Sequence, residues 1–151
     1  MWGADDPCDR MPMVWQELSY DPQQADPLGR PRPANPVAFD DGLFKFYQAA
    51  IKFRRENPSL RRGDLEFIAT DDQAEFLAFR RSDATDTLLV GLNRGGKQYT
   101  WNVPLAKGEN ASQVFTASGE VNQFTTEHKD GATIVTVPAV DGVVLRVSSK
   151  K

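Results

Sequence analysis

The spacing of apolar residues divides the chain into three zones. In residues 40–57 apolar side chains recur at helical spacing, which predicts one amphipathic helix. Residues 64–151 consist of short apolar runs, several of them alternating with polar residues, separated by turn residues, which predicts β-structure. Residues 1–39 show neither period. The pattern therefore predicts a mainly β protein preceded by one helix and an irregular segment.

The predicted helix has recognisable ends and a broad apolar face. Asp40 or Asp41 can accept hydrogen bonds from the first free backbone N–H groups, and the pair Asn57-Pro58 ends the helix. The apolar face comprises Leu43, Phe44, Phe46, Tyr47, Ala50 and Ile51. This face is wider than a helix on a small sheet requires, so we expect it to contact a larger partner.

The β zone is rich in the β-branched and aromatic residues that favour strands. Eight strands are predicted: 65–69, 75–81, 87–93, 98–103, 112–118, 121–127, 132–138 and 142–148. Short strands with a turn about every dozen residues indicate an antiparallel β-sandwich of Greek-key type. The alternation of Leu88, Val90 and Leu92 places all three on a core face, so truncating Val90 or Leu92 to Ala is expected to leave a core cavity.

The first zone combines many prolines with large apolar side chains. Seven of the ten prolines fall in residues 1–39, so irregular backbone with at most one turn of helix is expected. Trp2 and Trp15 lie in this zone and need a surface to pack on; core packing is the expectation for Trp15. The segment is therefore either disordered or normally covered by a larger body, and its aromatic residues favour the larger body.

Composition excludes several functional classes. The net charge is −3 with a pI near 5.2, which gives no reason to expect nucleic acid as a partner. No stretch has the roughly 20 apolar residues of a membrane span. One Cys and one His permit neither an internal disulfide nor a zinc site. The acidic residues Asp5, Asp6 and Asp9 lack the spacing of a calcium loop, so neither metal nor cofactor is predicted, and the compartment stays open.

Three motifs along the chain resemble one enzyme family. The first fifteen residues, MWGADDPCDRMPMVW, resemble the stretch G-x-x-D-P-x-x-R-x-P-M-x-W, which follows barrel strand eight in glycoside hydrolase family 13. The stretch RRENPSLRRGD, at residues 54–64, is similar to the end of that family's last barrel helix. The stretch LNR, at residues 92–94, resembles a strand of its C-terminal domain. The resemblance is greatest to cyclomaltodextrinases, neopullulanases and maltogenic amylases.

The resemblance implies an organisation for the whole chain. Residues 1–39 would be the loop after strand eight of a (β/α)8 barrel, residues 40–57 its last helix, and residues 64–151 the C-terminal all-β domain. The family's catalytic Asp and Glu residues, which make its members retaining α-glycosidases, precede this portion. No catalytic residue can therefore be assigned here, and the chain is expected to be an inactive C-terminal fragment of an α-glucan hydrolase acting on starch, cyclodextrin or pullulan.

Binding residues can be assigned by the same resemblance. Asp6 and Arg10 match the Asp and Arg of D-P-x-x-R, which are implied to hydrogen-bond sugar hydroxyls at a distal subsite of the intact enzyme. Trp2 is a further substrate-binding candidate because it can stack on a sugar ring. The alternative is that Asp6 and Arg10 pair with each other and fix the loop. The order Cys8-Asp9 departs from the family's usual C-R and puts the role of the cysteine in doubt.

Two other functions remain open. The β zone could be a carbohydrate-binding module without hydrolase activity, in which Tyr99, Trp101 and Phe115 grip starch, although their alternation fits core-facing positions better. The chain could also act alone as a self-associating protein. In the fragment hypothesis its partners are the barrel domain and an α-glucan oligosaccharide.

Overall fold

The computed structural model describes residues 13–26, 28–117, 126–129 and 132–149. The chain divides into two compact units, Met1–Lys45 and Phe46–Lys151. The elements are β1 (Gln23–Ala25), β2 (Pro31–Asn35), α1 (Asp41–Glu56), α2 (Ser59–Arg62), β3 (Asp64–Asp71), β4 (Phe76–Ser82), β5 (Thr87–Asn93), β6 (Tyr99–Val103), β7 (Glu109–Thr116), β8 (Thr126–Lys129), β9 (Ala132–Val137) and β10 (Asp141–Ser149).

The proline-rich segment contains a small hairpin that the sequence did not predict. Strands β1 and β2 pair antiparallel, and the two-stranded sheet tolerates proline because each strand has a free edge. The buried Asp26 carboxylate accepts hydrogen bonds from the backbone N–H groups of Leu28 and Arg30 at 2.9 and 3.0 Å. Burial opposes ionisation, but these bonds and the Arg30 guanidinium outweigh it and lower the pKa of Asp26. The ionised Asp26 thus fixes the turn.

Helix α1 begins and ends as predicted. The Asp40 carboxylate accepts a hydrogen bond from the N–H of Leu43 at 2.9 Å and so caps the first turn. The helix ends at Glu56, directly before Asn57 and Pro58. A second helix of one turn, α2, follows and was not predicted. It brings the chain into β3.

The β zone forms two antiparallel sheets, which confirms the predicted sandwich class. One sheet has the order β3-β4-β5-β10-β7 and the other the order β6-β9-β8. Strand β5 has the predicted bounds, and the other described strands differ from the prediction by a few residues. Of the predicted strand 121–127, residues 121–125 lie outside the described part of the chain.

The main core fills the space between the two sheets. The five-stranded sheet contributes Phe76, Ala78, Leu89, Val143 and Leu145, and the three-stranded sheet contributes Trp101, Val103, Val135 and Val137. A Cβ built on Gly91 would lie 3.0 Å from the Trp101 ring, so glycine allows the indole to approach the backbone of β5. The sandwich is therefore a packed body with a large aromatic side chain at its centre.

A second, smaller core lies on the opposite face of the five-stranded sheet. Leu88, Val90 and Val144 are buried there beneath Phe53 of α1 and Leu60 of α2. The prediction that Leu92 shares this core is wrong, because Leu92 is 44% exposed. Alternation correctly places Leu92 on the same face as Val90, but beyond the area that buries Val90.

Candidate functional site

The three predicted substrate-binding residues, Trp2, Asp6 and Arg10, lie outside the described residues, and so does Cys8. Trp15 is described, and its side chain is half exposed at 49%, whereas the sequence predicted core packing. The phenol of Tyr20 accepts a hydrogen bond from the N–H of Trp15 at 2.9 Å, so the local backbone is held although the indole is not covered. Trp15 needs a further surface for burial.

Helix α1 presents apolar side chains in two directions. Towards the sheet, Phe53 stacks on Phe115 with ring centroids 4.9 Å apart, and Phe46 lies 6.4 Å from the same ring. In the other direction, Tyr47 and Ile51 are each 57% exposed. The broad apolar face predicted from sequence is thus real, but the sheet covers only part of it.

The five-stranded sheet also leaves apolar side chains uncovered on the face that the helix partly covers. Leu65 and Phe67 of the edge strand β3 are 53% and 63% exposed, and Leu92 of β5 is 44% exposed. Phe67 meets Phe79 edge-on across the strand pair, with centroids 6.4 Å apart. We call Tyr47, Ile51, Leu65, Phe67 and Leu92 the exposed apolar face. A soluble monomer rarely exposes such a set, and a surface of this kind indicates an interaction site.

A polar network joins the end of α1 to the sheet beneath it. Arg146 of β10 donates from Nε to Asp86 Oδ1 at 3.1 Å and from a terminal nitrogen to the side-chain oxygen of Asn57. Asn57 is 5% exposed, and its amide nitrogen donates to the carbonyl of Phe53 at 2.7 Å. Asp86 also accepts from the hydroxyl of Ser59 at 3.4 Å. The network holds the C-terminal end of α1 on the sheet. It thereby helps to fix the orientation of the helix that carries Tyr47 and Ile51.

The turn into β3 is fixed in the same region. Arg81 donates to the carbonyls of Ser59 and Gly63 at 3.2 and 2.8 Å. A Cβ on Gly63 would approach the carbonyl oxygens of Ser59 and Ser82 to 2.5 and 2.6 Å, so only glycine fits. Gly63 and Arg81 therefore hold α2 tightly against β4. The pair Asn57-Pro58 predicts the end of the helix, but no local pattern predicts the hydrogen bond between Asn57 and Arg146.

The aromatic residues proposed for a carbohydrate-binding module are placed differently by the structure. Trp101 is 2% exposed and lies in the main core, and Phe115 packs beneath α1. Tyr99 is half-buried, with its ring stacked on Phe76 at a centroid distance of 4.0 Å. Burial raises the pKa of Tyr99, and the adjacent Asp71 carboxylate raises it further. Of the three, Trp101 is buried, whereas Tyr99 and Phe115 are partly buried.

Other chemistry is sparse in the described part of the chain. Its residues contain no group of three His, Cys, Asp or Glu side chains placed to hold a metal ion. None of its helices combines the length and the apolar character needed to cross a bilayer. The Asp83 carboxylate accepts hydrogen bonds from the hydroxyl and the N–H of Thr85 at 2.7 and 2.8 Å, and these bonds lower the pKa of Asp83. This turn is structural.

The fold is a β-sandwich with apolar side chains exposed on one face, and comparison with known proteins shows what the chain is similar to. No family model matches the chain. The chain is 27% identical over 145 residues to neopullulanase 2 of Thermoactinomyces vulgaris, covering 96% of this chain and 21% of that protein. It is 27% identical over 110 residues to a cyclomaltodextrinase of Geobacillus thermopakistaniensis, covering 72% of this chain and 16% of that protein.

Solved structures agree with these relatives. The α-amylase of H. orenii superposes with a TM-score of 0.60 at 25% identity, covering 70% of this chain and 20% of that one. An α-amylase of Geobacillus thermoleovorans, complexed with acarbose, gives the same TM-score at 16% identity and shows the fold alone. Relatives and structures together support the assignment of this chain to the C-terminal part of a glycoside hydrolase family 13 enzyme, as its motifs predict. The chain spans only about a fifth of the length of these proteins.

Proposed function

We propose that this chain is the C-terminal part of an α-glucan hydrolase, in which α1 and the β-sandwich pack on a (β/α)8 barrel and support it. The observation that carries the proposal is the exposed apolar face. Tyr47 and Ile51 continue the apolar character of a helix whose other side is already packed on Phe115. A helix that is apolar on two sides fits a position between two bodies.

The polar network supports this role because it fixes the helix before any partner is bound. Arg146, Asp86 and Asn57 join α1 to β10 and to the β4–β5 turn. Leu65 and Phe67 are exposed on the same face of the sheet, at the edge opposite to the strand on which the helix packs. A preorganised surface loses little conformational entropy on binding.

In the same proposal, the proline-rich segment takes part in substrate binding. Asp6 and Arg10 hold sugar hydroxyls at a distal subsite of the intact enzyme, and Trp2 provides a stacking surface. The support is the motif resemblance together with the relatives' names, cyclomaltodextrinase and neopullulanase. A carboxylate accepts from adjacent hydroxyls and a guanidinium donates several hydrogen bonds in a fixed fork. Catalysis itself belongs to carboxylates outside this chain.

The burial of Trp101 and the packing of the partly buried Phe115 against Phe53 weigh against the alternative of an independent carbohydrate-binding module built on those residues. An aromatic ring that stacks on sugar must present a face to solvent, and these two rings are used in the two cores. The module hypothesis then retains only Tyr99, and it leaves the exposed apolar face without a role.

A chimera tests the proposal. Residues 1–151 replace the matching C-terminal portion of neopullulanase 2 from Thermoactinomyces vulgaris, and glucan hydrolysis and thermal unfolding are measured. We expect an active, folded chimera, and expect the pair Tyr47→Asp and Phe67→Asp to lower both activity and melting temperature. The exposed substitution Asn102→Asp, on the far side of the sandwich, is the control. Full activity and stability in the Tyr47/Phe67 variant would contradict the proposal, as would glucan hydrolysis by the isolated chain.

A further inference from the structure

A groove with an apolar floor lies near the β3 edge of the five-stranded sheet, on the face that carries the smaller core. Thr70, Leu77 and Leu92 are cross-strand neighbours on β3, β4 and β5, so their side chains form one row on that face. Leu77 is half-buried and Leu92 is 44% exposed, and both line the groove. The floor therefore offers apolar surface to a partner.

One end of this groove is negatively charged. Asp71, Asp72 and Glu75, at the turn from β3 to β4, line it, and the described lining includes one cation, Arg94. The guanidinium of Arg94 donates to the Glu75 carboxylate at 3.1 Å, which leaves the groove with an excess of negative charge. Asp72 is exposed. We call this site the acidic groove, and its partner needs both apolar surface and positive charge.

The outward side of α1 has that composition. Tyr47, Ile51 and Arg55 follow one another at intervals of four residues, so the three side chains share one side of the helix. Lys52 and Arg55 are exposed beside Ile51. Lys52 lies 3.9 Å from the Glu56 carboxylate, but a pair between two exposed side chains at this distance is weak and leaves Lys52 available. We call Tyr47, Ile51, Lys52 and Arg55 the helix surface.

One molecule does not bring its own helix surface to its own acidic groove. Helix α1 packs on the sheet through Phe53, whose ring stacks on Phe115 of β7 with centroids 4.9 Å apart. Strands β7 and β3 are the opposite edges of this sheet. Tyr47 and Ile51 are exposed on the side of the helix that faces away from the sheet. The two complementary surfaces therefore meet only between molecules.

We propose that a second copy of this chain occupies the acidic groove and binds there through its helix surface. Ile51 of one copy packs on Leu92 of the other, and Lys52 and Arg55 lie near Asp72. The contact joins two unlike surfaces, so it is heterologous. The inference concerns the 151-residue chain by itself and does not rest on the proposed function, so its failure would leave the outcome of the chimera experiment open.

Sedimentation velocity of the full chain, from about 10 µM to about 1 mM, measures the association. We expect oligomers whose dissociation constant rises at least about fivefold between about 50 mM and about 500 mM NaCl, because salt screens the charged contacts. Lys107→Glu, which changes an exposed charge outside both surfaces, should leave the association unchanged. A monomer at every concentration, or an association that salt does not weaken, would overturn the proposal.

Two single variants test which surfaces meet. Ile51→Glu places a carboxylate against the acidic groove, and Leu92→Lys places an ammonium group against the basic helix surface. Both replace exposed side chains, so both variants should fold, which circular dichroism verifies. We expect each variant alone to be monomeric. An equimolar mixture should associate again, because Ile51→Glu retains the groove and Leu92→Lys retains the helix surface.

The same two variants distinguish the other arrangements. Association of Leu92→Lys alone would show that helix contacts helix, and association of Ile51→Glu alone would show that sheet contacts sheet. Either result would overturn the proposal. A mixture that stays monomeric would overturn it as well, because the surviving helix surface and the surviving groove would then have no affinity for each other.

Discussion

The side-chain amide of Asn93 donates to the carbonyl of Pro138 at 2.7 Å and so ties the end of β5 to the connection between β9 and β10. The same nitrogen donates to the carbonyls of Lys97 and Val137 at 2.9 and 3.1 Å. Asn93 is 2% exposed. The two N–H groups of this buried amide therefore serve three carbonyls, with one N–H shared, and join the two sheets.

Replacing Asn93 by Asp should destabilise the sandwich. Aspartate has the same shape but no N–H group, so three carbonyls lose their donor and a carboxylate faces them. We expect the free energy of unfolding to fall by about 3 kcal/mol at pH 7. Urea unfolding of the full chain measures it, with Asn102→Asp as the exposed control. A loss below about 0.5 kcal/mol, the range of ordinary surface substitutions, would show that the hydrogen bonds of Asn93 do not hold the two sheets together.

Leu88 and Leu92 form a matched pair on one strand. Leu88 is fully buried beneath the helices, and Leu92 is 44% exposed. Leu88→Ala should cost about 3 kcal/mol because it leaves a cavity, and Leu92→Ala about 1 kcal/mol or less. Thermal unfolding of both variants checks the difference. Equal losses would mean that Leu92 is as deeply packed as Leu88.

The Asp83 turn should make part of the stability depend on pH. Hydrogen bonds from Thr85 lower the pKa of Asp83 in the folded state, although desolvation opposes them. A depressed folded pKa means that this stabilisation is complete above the unfolded pKa, about 3.9, and is lost as pH falls through the folded value. Asp83→Asn should therefore lower the urea midpoint at pH 7. The difference in urea midpoint between Asp83→Asn and the unchanged chain should narrow below pH 3. A difference that stays constant with pH would contradict the lowered pKa of Asp83.

The exposed apolar face should make the purified chain associate with itself. About half of the surface is exposed in each of the side chains Tyr47, Ile51, Leu65, Phe67 and Leu92, and burial of such surface is favourable. Light scattering at micromolar concentrations should detect oligomers. The pair Ile51→Lys and Phe67→Lys should shift the population to monomer, with Lys107→Ala as control. A monodisperse monomer of the unchanged chain would count against a missing partner.

The distal subsite can be tested in the neopullulanase chimera. Asp6→Ala or Arg10→Ala should each reduce kcat/KM by about 2 kcal/mol, which is roughly thirtyfold, for a lost charged hydrogen bond. Asp9→Ala, which changes a neighbouring carboxylate outside the motif, is the matched control. An unchanged kcat/KM in the Asp6 and Arg10 variants would reject the subsite and favour a loop-fixing pair.

Sequence patterns predicted most of the fold because the period of a strand or helix is a local property. The two-residue period placed Leu88 and Leu92 on one face, but it could not tell where the cover of α1 and α2 ends. Helical spacing placed both Phe46 and Tyr47 on the apolar face of the helix. Only the position of the sheet shows that Phe46 faces Phe115 and that Tyr47 does not. The hairpin at β1 and β2 was missed because Pro31 and Pro33 disfavour a strand unless it lies at an edge.

The polar network between Asn57, Asp86 and Arg146 could not be predicted from the sequence, for a different reason. Asn57 and Arg146 are 89 positions apart, and nothing in either local pattern joins them. The sequence indicated Asn57 only as the end of the helix, and it gave Arg146 no role beyond its place in the last predicted strand. Their contact appears only when α1 is laid across β10. Conversely, the subsite assignment of Asp6 and Arg10 comes from motif resemblance alone and stays a prediction.

Strand β5 is apolar on both of its surfaces, with Leu89 in the sandwich and Leu88 under the helices. A truncated chain that starts at β3 would keep every strand of the sandwich but would expose Leu88 and Val90 to water. Its solubility should therefore be worse than that of a chain that starts at Phe46, although it is shorter and has fewer apolar residues. We therefore expect the shortest well-folded part of this protein to be a sandwich that retains most of α1.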